Sequence, residues 1–139
     1  MKHAASFVLA CLTLISPALA APGLSGGERS LLQRLALAEA MGDGELGMAL
    51  VARSVLNRAA LIRSGKLSAE TYLAKSGSVS DLIYARGQYE PVRNGSLHKG
   101  RSAAQLAEAE RALQLALDTP RLKAALARSG VPPAAAKRL

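Results

Sequence analysis

The stretch Leu31–Arg58 reads LLQRLALAEAMGDGELGMALVARSVLNR, and its periodicity decides the fold. Wound as a helix at about 100° per residue, its first half puts Leu31, Leu32, Leu35 and Ala38 on one side, with Glu39 between Leu35 and Leu32 in projection. A carboxylate therefore sits inside an apolar stripe. Burial disfavours the charged form, so the position predicts a raised pKa and a proton held towards neutral pH, which is what a general acid needs. Glutamates on helix faces are more often solvated or salt-bridged. The residues that follow give this one more weight: Met41-Gly42-Asp43-Gly44-Glu45 breaks the helix and starts another, placing Glu39 at a helix end beside a glycine-bearing turn where a cleft can form.

Working outward, Ser25-Gly-Gly-Glu28 has the form of a capping box opening the first helix, and Asp43 is the expected cap of a second helix over about 45–64, stopped by Gly65. Met48, Ala49, Ala52, Val55, Leu56, Ala59 and Ile62 cover a wide arc of that helix, which predicts the most buried element of the domain. Its narrow polar stripe holds Arg53, Ser54, Asn57 and Arg58, and Asn57 and Arg58 are expected to brace neighbouring loops or the Glu39 turn. A short helix is expected over 68–75. For Ser80–Tyr84 periodicity does not choose between a helical turn and an extended stretch. Asn94-Gly95 between Gln88–Val92 and Ser96–His98 predicts a small β-hairpin, with Pro91 restricting its first arm to a sheet edge. Ser102-Ala-Ala-Gln105 is a second capping box, opening a helix with Leu106, Ala109, Leu113 and Leu117 on one face, and Thr119-Pro120 starts a last helix that ends near Gly130. The expected fold class is mainly α (α+β).

Glu39-Ala40, Gly42-Asp43, Gly47, Asn57-Arg58, Gly87-Gln88-Tyr89 and Pro91, in this order, resemble the pattern of the spore cortex-lytic, SleB-type cell-wall hydrolase family. The resemblance covers roughly 31–97. Tyr89 stands where the family more commonly has Phe, and Leu46 where it has a glutamate before the Gly47 position. The resemblance implies a lysozyme or lytic-transglycosylase-like helical domain with a small β-hairpin, acting on the glycan strands of peptidoglycan, with Glu39 as acid and then base.

At the N-terminus, Met-Lys-His is a short basic start, residues 4–15 an apolar run, and Ala18-Leu19-Ala20 a small-x-small cleavage pattern. Residues 1–20 thus read as a secretory signal peptide, cleaved before Ala21, and the apolar run is too short to be a good membrane span. The expected organisation is this signal segment, one domain over 21–130, and a frayed tail over 131–139. The protein is expected outside the cytoplasm, periplasmic or extracellular and associated with the cell wall, with no transmembrane segment after cleavage. Cleavage also removes Cys11, the only cysteine, so no disulfide, zinc cluster or cysteine nucleophile is expected.

The chain is basic, with 18 Lys and Arg against 10 Asp and Glu and a formal net charge of +8. Such a charge suits nucleic acid, anionic lipid, or the acidic stem peptides and polymers of a cell wall. No basic run is present and the tyrosines are not interleaved with the cations as a stacking surface requires, so no nucleic-acid partner is expected. His98 is the only histidine after residue 20, which disfavours a metal site or a Ser-His-Asp triad; no cofactor or metal is expected.

Glycosidic cleavage needs a proton donor near the leaving oxygen and stabilisation of an oxocarbenium-like transition state. Glu39 is the candidate donor. Gln88 offers an amide to sugar hydroxyl or acetamido groups, Tyr89 a ring for a sugar face, and Tyr84 lies close by in sequence. Among possible second carboxylates, Asp43 reads as a cap, Glu45 as a first-turn acid favoured by the helix dipole, and Asp81 as part of a short turn. Glu90 alternates with Tyr89 along the expected strand and so faces away if Tyr89 faces the cleft. A lone acid suits a lytic transglycosylase, with a muramidase- or glucosaminidase-type hydrolase and a catalytically silent wall- or partner-binding protein as the other readings. An exported basic membrane or nucleic-acid binder would instead show affinity falling steeply with salt.

Overall fold

The structure is a computed structural model that describes residues 23–131; the expected signal segment over 1–20 and nearly all of the expected tail lie outside the described residues. Four longer helices carry the fold: α1 (Gly26–Ala40), α2 (Gly44–Arg63), α5 (Ala103–Leu117) and α6 (Thr119–Arg128). Between α2 and α5 the chain makes two short helices, α3 (Val79–Ile83) and α4 (Glu90–Arg93), with 3₁₀ turns at Met41–Asp43, Ala69–Tyr72 and Ser96–His98. The fold is mainly helical, and no strand occurs among the described residues. No described helix is long and apolar enough to cross a membrane.

Each long helix starts where its sequence supplies a cap. Ser25 Oγ accepts from the Glu28 amide at 3.2 Å while Glu28 takes the Ser25 amide, and Ser102 and Gln105 repeat the exchange at the start of α5. At α6 the capping oxygen belongs to Asp118, which accepts from the Arg121 amide at 3.1 Å, with Pro120 in the first turn where a missing N–H costs nothing. Glu28 has a second task. Its Oε1 accepts from the Val79 amide at 3.1 Å, tying the start of α1 to the start of α3.

Helix α2 is the centre, packed against α1 on one side and α5 on another, with α1 and α5 also in contact and α6 closing on α5 and α2. Met48, Ala49, Ala52, Val55 and Ala59 of α2 are buried against Leu32 and Leu35 of α1, Leu82 and Ile83 of α3, and Ala109, Ala112, Leu113 and Ala116 of α5. Alanine on both α2 and α5 lets their axes approach closely, while the leucines supply most of the apolar area at about 2 kcal/mol each. An ion pair from Arg29 to Glu110 joins α1 to α5, and Gln114 also donates to Glu110 at 2.8 Å.

The expected hairpin is replaced by two helical turns. Tyr89 is extended, Glu90–Arg93 is helical, Gly95 is left-handed at φ 78°, and Ser96–His98 is 3₁₀. Pro91 stands in the first turn of α4, where its missing N–H is harmless, and Asn94 Oδ1 accepts from the Ser96 amide at 2.9 Å. Asn94-Gly95 therefore makes a turn between short helices, and Leu97, fully buried, pins it to the core. Ser80–Tyr84 resolves into α3 and its C-cap, and the helix expected over 68–75 shortens to one 3₁₀ turn capped by Ser68.

The α1–α2 corner is built on two glycines. Gly44 has φ 71° and ψ −169°, a region essentially closed to residues with a Cβ. Gly47 has an ordinary helical backbone but no room: a Cβ there would lie 2.5 Å from Asp43 Cβ and 3.7 Å from Ala40 Cβ. Asp43 holds the N-cap position of α2 without a capping hydrogen bond, contrary to expectation. Its backbone, at φ −97° and ψ 4°, is not the extended conformation from which a cap side chain reaches back.

Gly47→Ala is expected to destabilise the fold by about 1–3 kcal/mol, because overpacking against a short, backbone-proximal Cβ outweighs the helix-propensity gain of up to about 1 kcal/mol. Gly26→Ala, where a Cβ meets nothing within 4 Å, is the control and is expected to be neutral or stabilising. Denaturant melts of the two variants measure both.

Candidate functional site at the end of the first helix

A cleft of about 280 Å³ opens where α1 ends. It is lined by Leu37, Ala38 and Glu39 of α1, Met41 and Gly42 of the corner, and Ser96, Lys99 and Arg101 from the segment after α4. Glu39 reaches this wall because α1 stops one residue later and the chain turns sharply through Met41–Asp43 into α2. The far wall is held by Leu97, whose burial fixes Ser96 and the chain that leads to Lys99 and Arg101.

Glu39 is half-buried. Burial pushes its carboxyl above the ordinary glutamate range, and the like charge of Glu90 pushes the same way. That second cause corrects an inference from sequence. With a helical turn in place of a strand, the alternation that turned Glu90 away from Glu39 does not apply, and α4 instead packs beside α1. Glu90 is nonetheless exposed, forms an ion pair with Arg93, and is not among the residues lining the cleft. The other acids have separate roles: Glu45 pairs with Arg111 of α5 at 3.2 Å, Asp81 accepts from Ser76 Oγ at 2.6 Å, and Asp43 packs against Gly47.

The Asn57-Arg58 and Gln88-Tyr89 pairs, some thirty residues apart, meet through Arg58. Its Nη1 donates to Gln88 Oε1 at 3.1 Å and to Tyr89 Oη at 3.2 Å, and its guanidinium lies over the Tyr72 ring at 4.9 Å and the Tyr89 ring at 5.8 Å. Arg58 thus braces the loop that starts α4, as its place on the polar stripe suggested, and Tyr89, one residue before Glu90, is the point it holds. Asn57 is half-buried beside it on α2. Tyr72 is a member of this group that sequence reasoning missed, because nothing in a short 3₁₀ turn advertises a contact with a distant arginine.

Burial separates the three expected substrate-binding residues. Tyr89 is 8% exposed, so its ring belongs to the core and does not offer a face to a sugar. Gln88 is half-buried with its amide oxygen committed to Arg58. Tyr84 is 49% exposed and stacks on His98, with ring centroids 6.4 Å apart, an interplanar angle of 17°, and Oη 3.3 Å from Nε2. His98 immediately precedes Lys99 of the cleft, but neither Tyr84 nor His98 is among the residues that line it. As site residues Ser96, Lys99 and Arg101 went unmarked in the sequence, where a charged loop has no period to betray which face it lines, and His98 was weighed there only for a metal site or a triad.

The described residues contain no group of His, Cys, Asp or Glu able to hold a metal ion. Comparisons of the chain with protein-family models, with curated proteins and with solved structures gave no match.

For an acid whose folded pKa is raised, the folded state binds more protons than the unfolded chain between the two values, so stability falls as pH rises through that window. The cost of Glu39 is absent below the unfolded glutamate value, near pH 4.3, and complete above its raised folded value. Glu39→Gln is therefore expected to raise the melting temperature at neutral pH and to leave it little changed at pH 3.5, read by thermal melts at both pH values. Arg58→Ala is expected to cost about 1–3 kcal/mol by removing the donor that Gln88 Oε1 and Tyr89 Oη share, read by denaturant melts.

Proposed function

We propose that the protein cleaves the glycan strands of peptidoglycan, as a lytic transglycosylase in which Glu39 is the general acid and then the base. The observation that carries this reading is the isolation of Glu39: it is the only carboxylate among the described residues lining the cleft, and its surroundings favour the protonated form. A protonated carboxyl can deliver its proton to the leaving glycosidic oxygen as the bond breaks. The resulting carboxylate then takes the proton of the muramic acid's own C6 hydroxyl as that oxygen attacks the anomeric carbon. The products are a new free 4-hydroxyl end and a 1,6-anhydromuramic end, with no water consumed. Exposed Tyr84, stacked on His98, which precedes Lys99 of the cleft in sequence, supplies an aromatic surface for a sugar face. The ordered likeness to SleB-type cell-wall hydrolases supports the same substrate, and the signal-like N-terminus supports a periplasmic or extracellular site of action.

Hydrolysis is the second reading, and one observation favours it: the charge of Glu90 acts on Glu39, so a second carboxylate is near. Its ion pair with Arg93 and its place outside the cleft lining favour the first.

Digestion of purified sacculi, followed by mass analysis of the soluble fragments, tests both. Wild type is expected to release anhydromuropeptides without oxygen from labelled water, and Glu39→Gln to release none while remaining folded. Release by Glu39→Gln overturns the assignment of Glu39. Fragments carrying labelled oxygen assign hydrolysis and leave Asp43 and Glu90 as the candidates for the second carboxylate.

A further inference from the structure

Most of the cations with named partners in this fold face a carboxylate or a carbonyl. Arg29 pairs with Glu110, Arg93 with Glu90, Arg111 with Glu45 and Arg121 with Asp118, while Arg53 donates to the Ala116 carbonyl at 3.0 Å. Two further cations, Lys99 and Arg101, line the Glu39 cleft. Lys99 is exposed, and neither it nor Arg101 forms an ion pair among the described residues. Arg101 is half-buried and makes one long hydrogen bond, from Nη2 to the Ser96 carbonyl at 3.4 Å; its Nε is buried with no hydrogen-bond partner. A guanidinium has five donors, and among the described residues only Nη2 of this one has a hydrogen-bond acceptor. Glu39 does not serve as the missing anion, since a cation seated on its carboxylate would hold its pKa down and the shift is upward.

We propose that Lys99 and Arg101 form an anion subsite in the Glu39 cleft, and that it takes a carboxylate borne by the side chain of muramic acid. The proposal rests on the reading of the cleft as a peptidoglycan site and names the feature of the strand it recognises. Every glycan strand built of β-linked amino sugars offers hydroxyl and acetamido groups, but only the muramyl residue adds an anion: the lactyl carboxylate where the peptide has been removed, or the free carboxylates of the stem peptide where it remains. Two cations beside one acid make the cleft selective for such strands over a neutral polymer of N-acetylglucosamine. Arg101 suits the buried side of the subsite, because a planar fork binds a carboxylate through two donors, and Lys99 suits the exposed rim as a mobile point charge.

Binding without turnover tests this independently of cleavage. Glu39→Gln protein is pelleted with three polymers: sacculi bearing stem peptides, peptide-free glycan strands released by an amidase and coupled to beads, and chitin. The expected result is tighter binding to at least one muramyl polymer than to chitin. Adding Lys99→Gln is expected to weaken that binding about fivefold, and Lys99→Glu to weaken it further, with chitin binding unmoved by either. Lys66→Glu, an exposed lysine outside the cleft, is the control for general charge. Preference for the peptide-free strands assigns the lactyl carboxylate, and preference for intact sacculi assigns the stem peptide. Equal binding to chitin, no effect of Lys99→Glu, or an equal loss with Lys66→Glu overturns the subsite. If wild type releases no fragments yet the Lys99-dependent discrimination persists, the cleavage reading falls and the anion subsite stands.

Discussion

Everything near Glu39 depends on how α1 hands over to α2 within four residues. Gly44 supplies a backbone conformation that a Cβ would forbid, and Gly47 supplies the space into which Asp43 closes. Together they fold the 3₁₀ turn tightly against the start of the most buried helix. With a looser corner Glu39 would lie on an ordinary helix end in water. With this one it stays half-buried at the edge of the core, facing a wall set by the buried Leu97, and its carboxyl is kept above the usual range by the same burial that shapes the cleft.

The second support comes from α2 itself. Arg58 reaches out of the helix to Gln88 and Tyr89, and Tyr89 opens the turn that carries Glu90. A chain of contacts therefore runs from the central helix through an arginine and a tyrosine to the charge that acts on Glu39. The arrangement separates roles among residues that look alike in sequence. Tyr89 is scaffold and Tyr84 is surface; Arg58 braces the fold while Lys99 and Arg101 face the cleft.

How much of this was legible in the sequence follows from the range of the forces involved. Both capping boxes were readable because they close within three residues, and the half-burial of Glu39 was readable because helical periodicity places it between two leucines that are indeed fully buried. The hairpin was misread because Asn-Gly suits more than one kind of turn, and the choice fell to tertiary packing: Leu97 is drawn into the core and Pro91 is placed where a helix begins. Reading that segment as a strand also hid the approach of Glu90 to Glu39. Glu28 reaching Val79, and Arg58 reaching Gln88, Tyr89 and Tyr72, had no local signal at all, since each joins elements that only the packed fold brings together.

The central claim is that one carboxyl, held by burial and by a neighbouring charge, supplies the proton for glycan cleavage. The pH profile of fragment release from sacculi, measured for the wild type and for Glu90→Gln, tests it most directly. The account predicts release that falls as pH rises through a single ionisation, with the midpoint moved to lower pH in Glu90→Gln because a like charge has been removed from beside Glu39. A midpoint that does not move, or release that is independent of pH across that range, would contradict it.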